Sequence, residues 1–369
     1  VKKEDQPVDL TSAEYTTINY GTIVYGKTAV EFEYLRSYLG TELYDKCAQK
    51  YFEDWKFKHP YPDDIKKVYE DVSGKNLSWF FDDILKTTNH IDYKISGFSK
   101  AEGTSLQVKV KNKGKINSPF SISAIKDGKI ISTQWYDGFA EKKNVTFSLP
   151  LEQGQNVHFD KIKIDAEQKM SDFNRQNNNL KMKGLFKKTE PFNLKMFGLV
   201  HNTDKTQLFW MPVMGWNNYN KFMLGSAVYN NFLPEKKLEW VFMPMYSFAN
   251  KDLAGGASVN YNMHFDKIFQ TVRIGANAER YSYYNYSGVS FNNFPVNVIC
   301  DYNKLAPHIS FEIKKKHLNS TLKQTINIRQ VDIYREAHID VQTDTGTYYN
   351  YQSASYAIND FSYFINNNR

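Results

Sequence analysis

The sequence predicts an α+β multidomain chain: a short α-helical bundle, then an antiparallel β-sandwich, then a partial antiparallel β-barrel. Three observations predict it. Apolar residues recur with a period near the helical one over residues 22–88, and the period drops to that of a strand over 91–165. From 191 onward longer alternating segments rich in Tyr and Phe take over. The expected divisions are 1–90, 91–165, a linker at 166–190, and 191–369.

In the first region Val30, Tyr34, Leu35, Tyr38 and Leu39 make an apolar stripe, and Gly40 follows as a stop. Leu43, Tyr44, Cys47, Tyr51 and Trp55 make a second, ended by the extended connection that Pro60 and Pro62 impose. Ile65, Val68, Tyr69 and Val72 make a third, terminated by Gly74. Asn76 can cap a fourth, whose buried residues are Leu77, Phe80, Phe81, Ile84 and Leu85. Four short amphipathic helices in succession read as a bundle, or as the end of a larger one.

The second region alternates Leu106, Val108 and Val110 against charged neighbours, and again Val145 and Phe147. Asp127-Gly128 between two such runs is a hairpin signal. Short strands at this spacing indicate a small sandwich. The polar stretch 166–190 with its asparagine cluster reads as a linker, where loop polarity accounts for the asparagines better than a ligand site does. Beyond 191, segments such as "LFWMPVMGWN" and "LEWVFMPMYSFA" have the alternation and aromatic girdles of transmembrane β-strands. A soluble β-domain would alternate similarly, though with shorter strands and fewer Tyr and Phe.

Bulk properties bound the function. The 369 residues carry a formal charge of +7, with an acidic front and a basic remainder, but no run of five like charges, so the excess does not point to nucleic acid. Cys47 and Cys300 lie in different regions and no Cys-x-x-Cys pair exists, which argues against a disulfide or a cysteine metal site. No stretch of 18 apolar residues is present to form a membrane helix. The chain begins "VKKEDQPVDL" without an initiator methionine and reads as a fragment, so the lack of a signal peptide says nothing about compartment.

Residues 21–28, "GTIVYGKT", match the phosphate-loop pattern letter for letter. Their surroundings do not. The preceding "SAEYTTIN" cannot build a buried strand, and the bulky Thr22, Ile23, Val24 and Tyr25 resist the positive φ that turns amides toward a phosphate. A nucleotide partner is therefore not expected.

The same stretch and its sequel resemble another family. "TIVYGKTAVEFEYLRSYLG", followed by "YFEDWKFKHPYPDDIKKVYEDVSGKNLSWFFDDIL", is similar to the segment of gluzincin zinc aminopeptidases (the membrane alanyl aminopeptidase and leukotriene hydrolase type) that bears their catalytic tyrosine. "TTNHIDYKI" resembles the start of that family's β-sandwich, particularly in bacterial members. The likeness covers residues 15–95 well and 96–165 loosely; Thr28 stands where the family has glycine.

The resemblance implies a peptide substrate, zinc as cofactor, and Tyr25 as the catalytic residue. In such a peptidase the metal polarises the scissile carbonyl. A neutral phenol can then donate a hydrogen bond to the oxygen that gains charge. The family's H-E-x-x-H motif and its glycine-rich amine-binding motif are both missing from these residues. Zinc ligands are therefore expected upstream, and the chain alone is expected to be inactive. His59 in "KHP" matches a structural turn of the family; the other seven histidines stand singly.

Together these readings give a metallopeptidase part tethered by a β-barrel to the lipid of a bacterial outer membrane, with the peptidase periplasmic or extracellular. The alternative is a non-enzymatic outer-membrane protein whose peptidase-like part is a binding module. A third reading, a soluble peptidase ending in an ordinary β-domain, is also open.

Overall fold

The computed structural model describes residues 4–100, 105–148, 159–184, 187, 192–198, 202, 206–230, 235–265, 267–289, 295–317, 320–343 and 346–367. The chain divides into two compact units, one built mainly from Asp5–Pro191 and the other mainly from Phe192–Asn202 and Thr206–Arg369.

The first unit opens with one helical run of three geometries: α1 (Thr17–Asn19), a π-helical stretch Tyr20–Lys27, and α2 (Thr28–Leu39). Thr16 caps its start by accepting from the Asn19 amide at 3.1 Å. Gly40, at φ 83°, separates it from α3 (Thr41–Trp55). In α4 (Pro62–Ser73) proline occupies the first turn, where its missing N–H costs nothing, and Gly74 closes the helix at φ 65°. A second π-helical turn, Trp79–Ile84, follows.

The strands of this unit are β1 (Tyr93–Lys100), β2 (Ser105–Asn112), β3 (Phe120–Lys126), β4 (Lys129–Tyr136), β5 (Lys142–Ser148), β6 (Lys161–Ile164) and β7 (Asn179–Lys181). They form a three-stranded sheet ordered β1-β2-β5 and a four-stranded sheet ordered β4-β3-β6-β7. Asp127 and Gly128 make the β3–β4 turn with φ 49° and 77°, the double left-handed geometry of a two-residue hairpin. Tyr93 of one sheet stacks on Phe120 of the other with ring centroids 4.6 Å apart. Residues 166–190 belong to the same unit: Met170 and Leu180 are in its core, and Asp172 accepts from the Tyr93 amide at 3.0 Å.

The second unit is a nine-stranded sheet of β8 (Phe192–Met196), β9 (Thr206–Asn217), β10 (Lys221–Tyr229), β11 (Leu238–Ser247), β12 (Asp252–His264), β13 (Phe269–Val289), β14 (Pro295–Ile313), β15 (Leu322–Thr343) and β16 (Gly346–Asn367). Neighbours in sequence are neighbours in space, and every pair is antiparallel except β8 with β9. A hydrogen-bonded network fixes one end. Asn220, in the β9–β10 turn, donates to Ser282 Oγ at 2.9 Å and accepts from the Ser282 amide at 2.9 Å. Ser282 sits at a bulge of β13 and donates to Asp301 at 2.6 Å.

The α+β class expected from the sequence is corrected by this architecture. The chain is mostly β, with sixteen strands against four α-helices among the described residues, and the helices make no bundle. The reason lies in what the helical stripes touch. Tyr34 of α2, fully buried, donates its hydroxyl to the Pro119 carbonyl and packs on Trp135 of β4. Leu35, Phe80 and Ile84 share one continuous core with Val110, Ile122 and Phe147 of the strands. The buried side of α2 meets strands, whereas α3 and α4 pack on each other through Tyr44, Cys47 and Tyr69. The barrel is corrected too: β8 and β16 are the two edges of an open sheet. A five-residue edge and a 22-residue edge offer little for mutual pairing.

Candidate functional site

Tyr25 lies in the π-helical stretch. The Thr28 amide donates to the Ile23 carbonyl, five residues back, and the Thr28 hydroxyl donates to the same oxygen at 3.1 Å. That double claim on one carbonyl favours the wider turn over an α-turn. Runs of π geometry are rare and recur at functional sites. The helical conformation engages the backbone of Gly21–Thr28 within the chain, unlike the inward-facing amides of a phosphate loop.

The Tyr25 side chain is 65% exposed, so its hydroxyl is not packed into the core. Tyr20 meets it edge-on. A hydrogen bond between the two hydroxyls raises the Tyr20 phenol above its ordinary value, with the charge of Tyr25 as the second cause. His59 is exposed in the turn between α3 and α4.

Beside this stretch lies a cavity of about 300 Å³ that sequence reasoning missed. Gly26, Lys27 and Glu31 line it from the helix, with His90, Ile116 and Ser171 among the facing residues. Glu31 is 3% exposed and accepts from Ser171 Oγ at 2.9 Å. Burial pushes its carboxyl up to about 7, against smaller lowering effects of the Ser171 hydrogen bond and the Lys27 charge. Lys27 itself pairs with Asp5 at 3.2 Å. The only sequence signal was a glutamate next to an apolar stripe, which a solvated helix face explains equally well.

Among the described residues no three His, Cys, Asp or Glu side chains gather closely enough to hold a metal ion. These residues therefore do not fit a zinc site of their own.

The large sheet presents a second surface. Leu208, Trp210, Pro212, Met214 and Trp216 share one face of β9. The register sets Phe222, Leu224 and Val228 of β10 beside them, then Phe242 and Tyr246 of β11. Leu253, Ala257, Val259 and Tyr261 of β12 continue the band. Met214 is 76% and Trp216 66% exposed. The opposite face is mixed. Met223, Met245 and Ala254 form a small apolar cluster with Val213 and Met243. Beyond it Arg273 donates to Asn262 at 2.7 Å and to Glu235 at 2.8 Å, and His308 bonds Asn260 at 3.0 Å. The band is interrupted at Gln330 and Asp332, which hydrogen-bond each other at 2.8 Å. Among the described residues no helix is long and apolar enough to cross a membrane.

No protein-family model matches the chain, and no curated protein matches it. The gluzincin likeness rests on the quoted residues alone.

Proposed function

We propose that this chain is the tyrosine-bearing part of a gluzincin-type zinc peptidase held at a bacterial outer membrane, with its peptidase part periplasmic or extracellular. The observation that carries the reading is the exposed Tyr25 hydroxyl on a π-helical turn, inside the stretch that resembles the family's tyrosine segment. In that family zinc supplies Lewis-acid polarisation of the peptide carbonyl. Its ligands would come from residues outside this chain. The role of Tyr25 is to donate a hydrogen bond to the oxygen that becomes negative as the peptide carbon turns tetrahedral. Tyr20 packs edge-on against that phenol and limits its directions.

The apolar face of the large sheet supports the membrane half. Soluble monomers rarely expose contiguous apolar patches beyond a few hundred Å². Leu208 to Trp216 spans about 26 Å of strand at about 3.3 Å per residue, close to the roughly 25 Å apolar band of transmembrane β-proteins. Within hydrocarbon the edges β8 and β16 would each need a hydrogen-bonding partner.

The test is hydrolysis of aminoacyl anilides by the longer protein that contains this segment, with and without a chelator. Zinc-dependent cleavage abolished by Tyr25→Phe is the expected result. A folded protein that binds peptides without cleaving them would favour the binding-module alternative.

A further inference from the structure

We propose that the cavity beside the π-helical stretch is a binding site for a small primary ammonium group, with Glu31 as its counter-ion. All of its lining belongs to the first unit, and the proposal stands whether or not the chain is a peptidase.

Three features of the cavity select this ligand. Its volume of about 300 Å³ is at the low end for small-molecule sites. Val30, Ile84, Ile91 and Ile116 give it an apolar wall suited to a short alkyl chain. Its polar side holds Glu31, nine-tenths or more buried, with Ser171 donating to one carboxylate oxygen. Among the described residues no cation lies within ion-pair distance of Glu31, because Lys27 is engaged by Asp5.

The electrostatics exclude an anion. Asp5 and Lys27 pair, which leaves the ionised Glu31 as the unpaired carboxylate of the lining. A buried carboxylate without a cation is costly, and the free protein relieves it by holding a proton near neutral pH. An ammonium group would relieve it instead. It brings three donors, which the two Glu31 carboxylate oxygens and the Ser171 oxygen can accept. A divalent metal would require a third strong ligand, and none gathers here among the described residues.

The titratable groups facing Glu31 are Asp5 and Lys27, with His90 across the cavity and Tyr34 behind it. Of these Glu31 is the carboxyl brought to about 7. Affinity should therefore rise about tenfold between pH 6 and pH 8, as its ionised fraction grows.

Isothermal titration of the whole chain with n-butylammonium chloride tests this, with butan-1-ol as the neutral control. The expected result is saturable one-to-one binding of the amine and none of the alcohol. Glu31→Gln should weaken it about tenfold or more, since a charge-assisted hydrogen bond is lost. Val30→Phe, which narrows the cavity at a half-exposed position and leaves the carboxyl in place, should abolish it. Equal binding of amine and alcohol, retention of affinity within twofold by Glu31→Gln, or no saturable binding at pH 8 would each overturn the proposal.

Discussion

Tyr20 and Tyr25 meet edge to face on one turn of π-helix, with ring centroids 6.1 Å apart and planes inclined at 81°. In an α-helix residues five apart lie on different sides of the cylinder. The wider turn brings them together. The pair therefore exists because the helix departs from α geometry at this place.

From that pairing a graded effect on catalysis is expected in the longer protein. Tyr25→Phe should lower kcat about 10²–10³-fold, the usual cost of removing one donor to a developing oxyanion. KM and the far-ultraviolet circular dichroism spectrum should stay close to wild type. Tyr20→Phe keeps the edge-on ring and removes only a neighbouring hydroxyl, so it should lower kcat by less than tenfold. Should Tyr25→Phe keep half of the wild-type kcat, the phenol has no part in the chemistry.

Tyr34 offers a stability test away from the proposed chemistry. Its hydroxyl is fully buried and donates to the Pro119 carbonyl, linking α2 to the residue before β3. Burial raises this phenol well above its ordinary value, so it stays a donor at any working pH. Tyr34→Phe leaves that carbonyl without this donor and should cost about 1–3 kcal/mol. Urea denaturation reads the loss; an unchanged midpoint would mean that water replaces the hydroxyl.

Three buried carboxyls set an unusual pH dependence for the first unit. Burial raises Glu31 from 4.5 to about 7, Asp165 from 3.8 to about 6 and Asp172 from 3.8 to about 7. Each folded value lies above the unfolded one, so the folded state binds protons more tightly. Their stabilising effect is whole below about pH 4, the unfolded range, and is lost as pH rises through 6 to 7. The unit should therefore melt at a lower temperature at pH 8 than at pH 5. Glu31 alone accounts for about 3 kcal/mol at most, and Glu31→Gln should flatten the slope. A melting temperature that climbs from pH 5 to pH 8 would contradict this.

The apolar face of the large sheet makes a prediction about lipid. Met214→Lys puts a charge within the band, one same-face position short of its Trp216 end and already 76% exposed. In water that change should be nearly neutral, whereas facing hydrocarbon between the midplane and the interface it should cost about 1–2 kcal/mol. Ser258→Lys lies on the opposite face of β12 and serves as the control. Folding into phospholipid vesicles, followed by carbonate extraction, compares the two. Equal retention of both variants would mean that this face does not meet lipid.

Local signals in the sequence were legible where one residue dictates the backbone. Gly40 and Gly74 end their helices in conformations that other residues resist, and Asp127-Gly128 makes its turn. Stripes such as Tyr34, Leu35 and Leu39 say that a face is buried, but not what lies on it. Here strands lie on it, which is why the helices do not make a bundle. The alternation in β9 and β11 likewise fixes two faces of a strand but carries no information on whether distant edges meet. Tyr25 stood out only through its neighbours in sequence. Glu31 could not be found that way, because its burial depends on Ser171, 140 residues further along the chain.

The outermost strand, β16, runs for 22 residues with Asp360 as its only acidic or basic residue and with no proline. Natural proteins usually guard such a rim with lysine, proline or a kink. Left bare in buffer, this one is a template on which further extended segments can crystallise. Ribbon-like aggregates that bind amyloid dyes should therefore grow when this chain is held in plain buffer. Breaking the rim with a proline at Ala357 should keep the chain dispersed while the first unit melts unchanged.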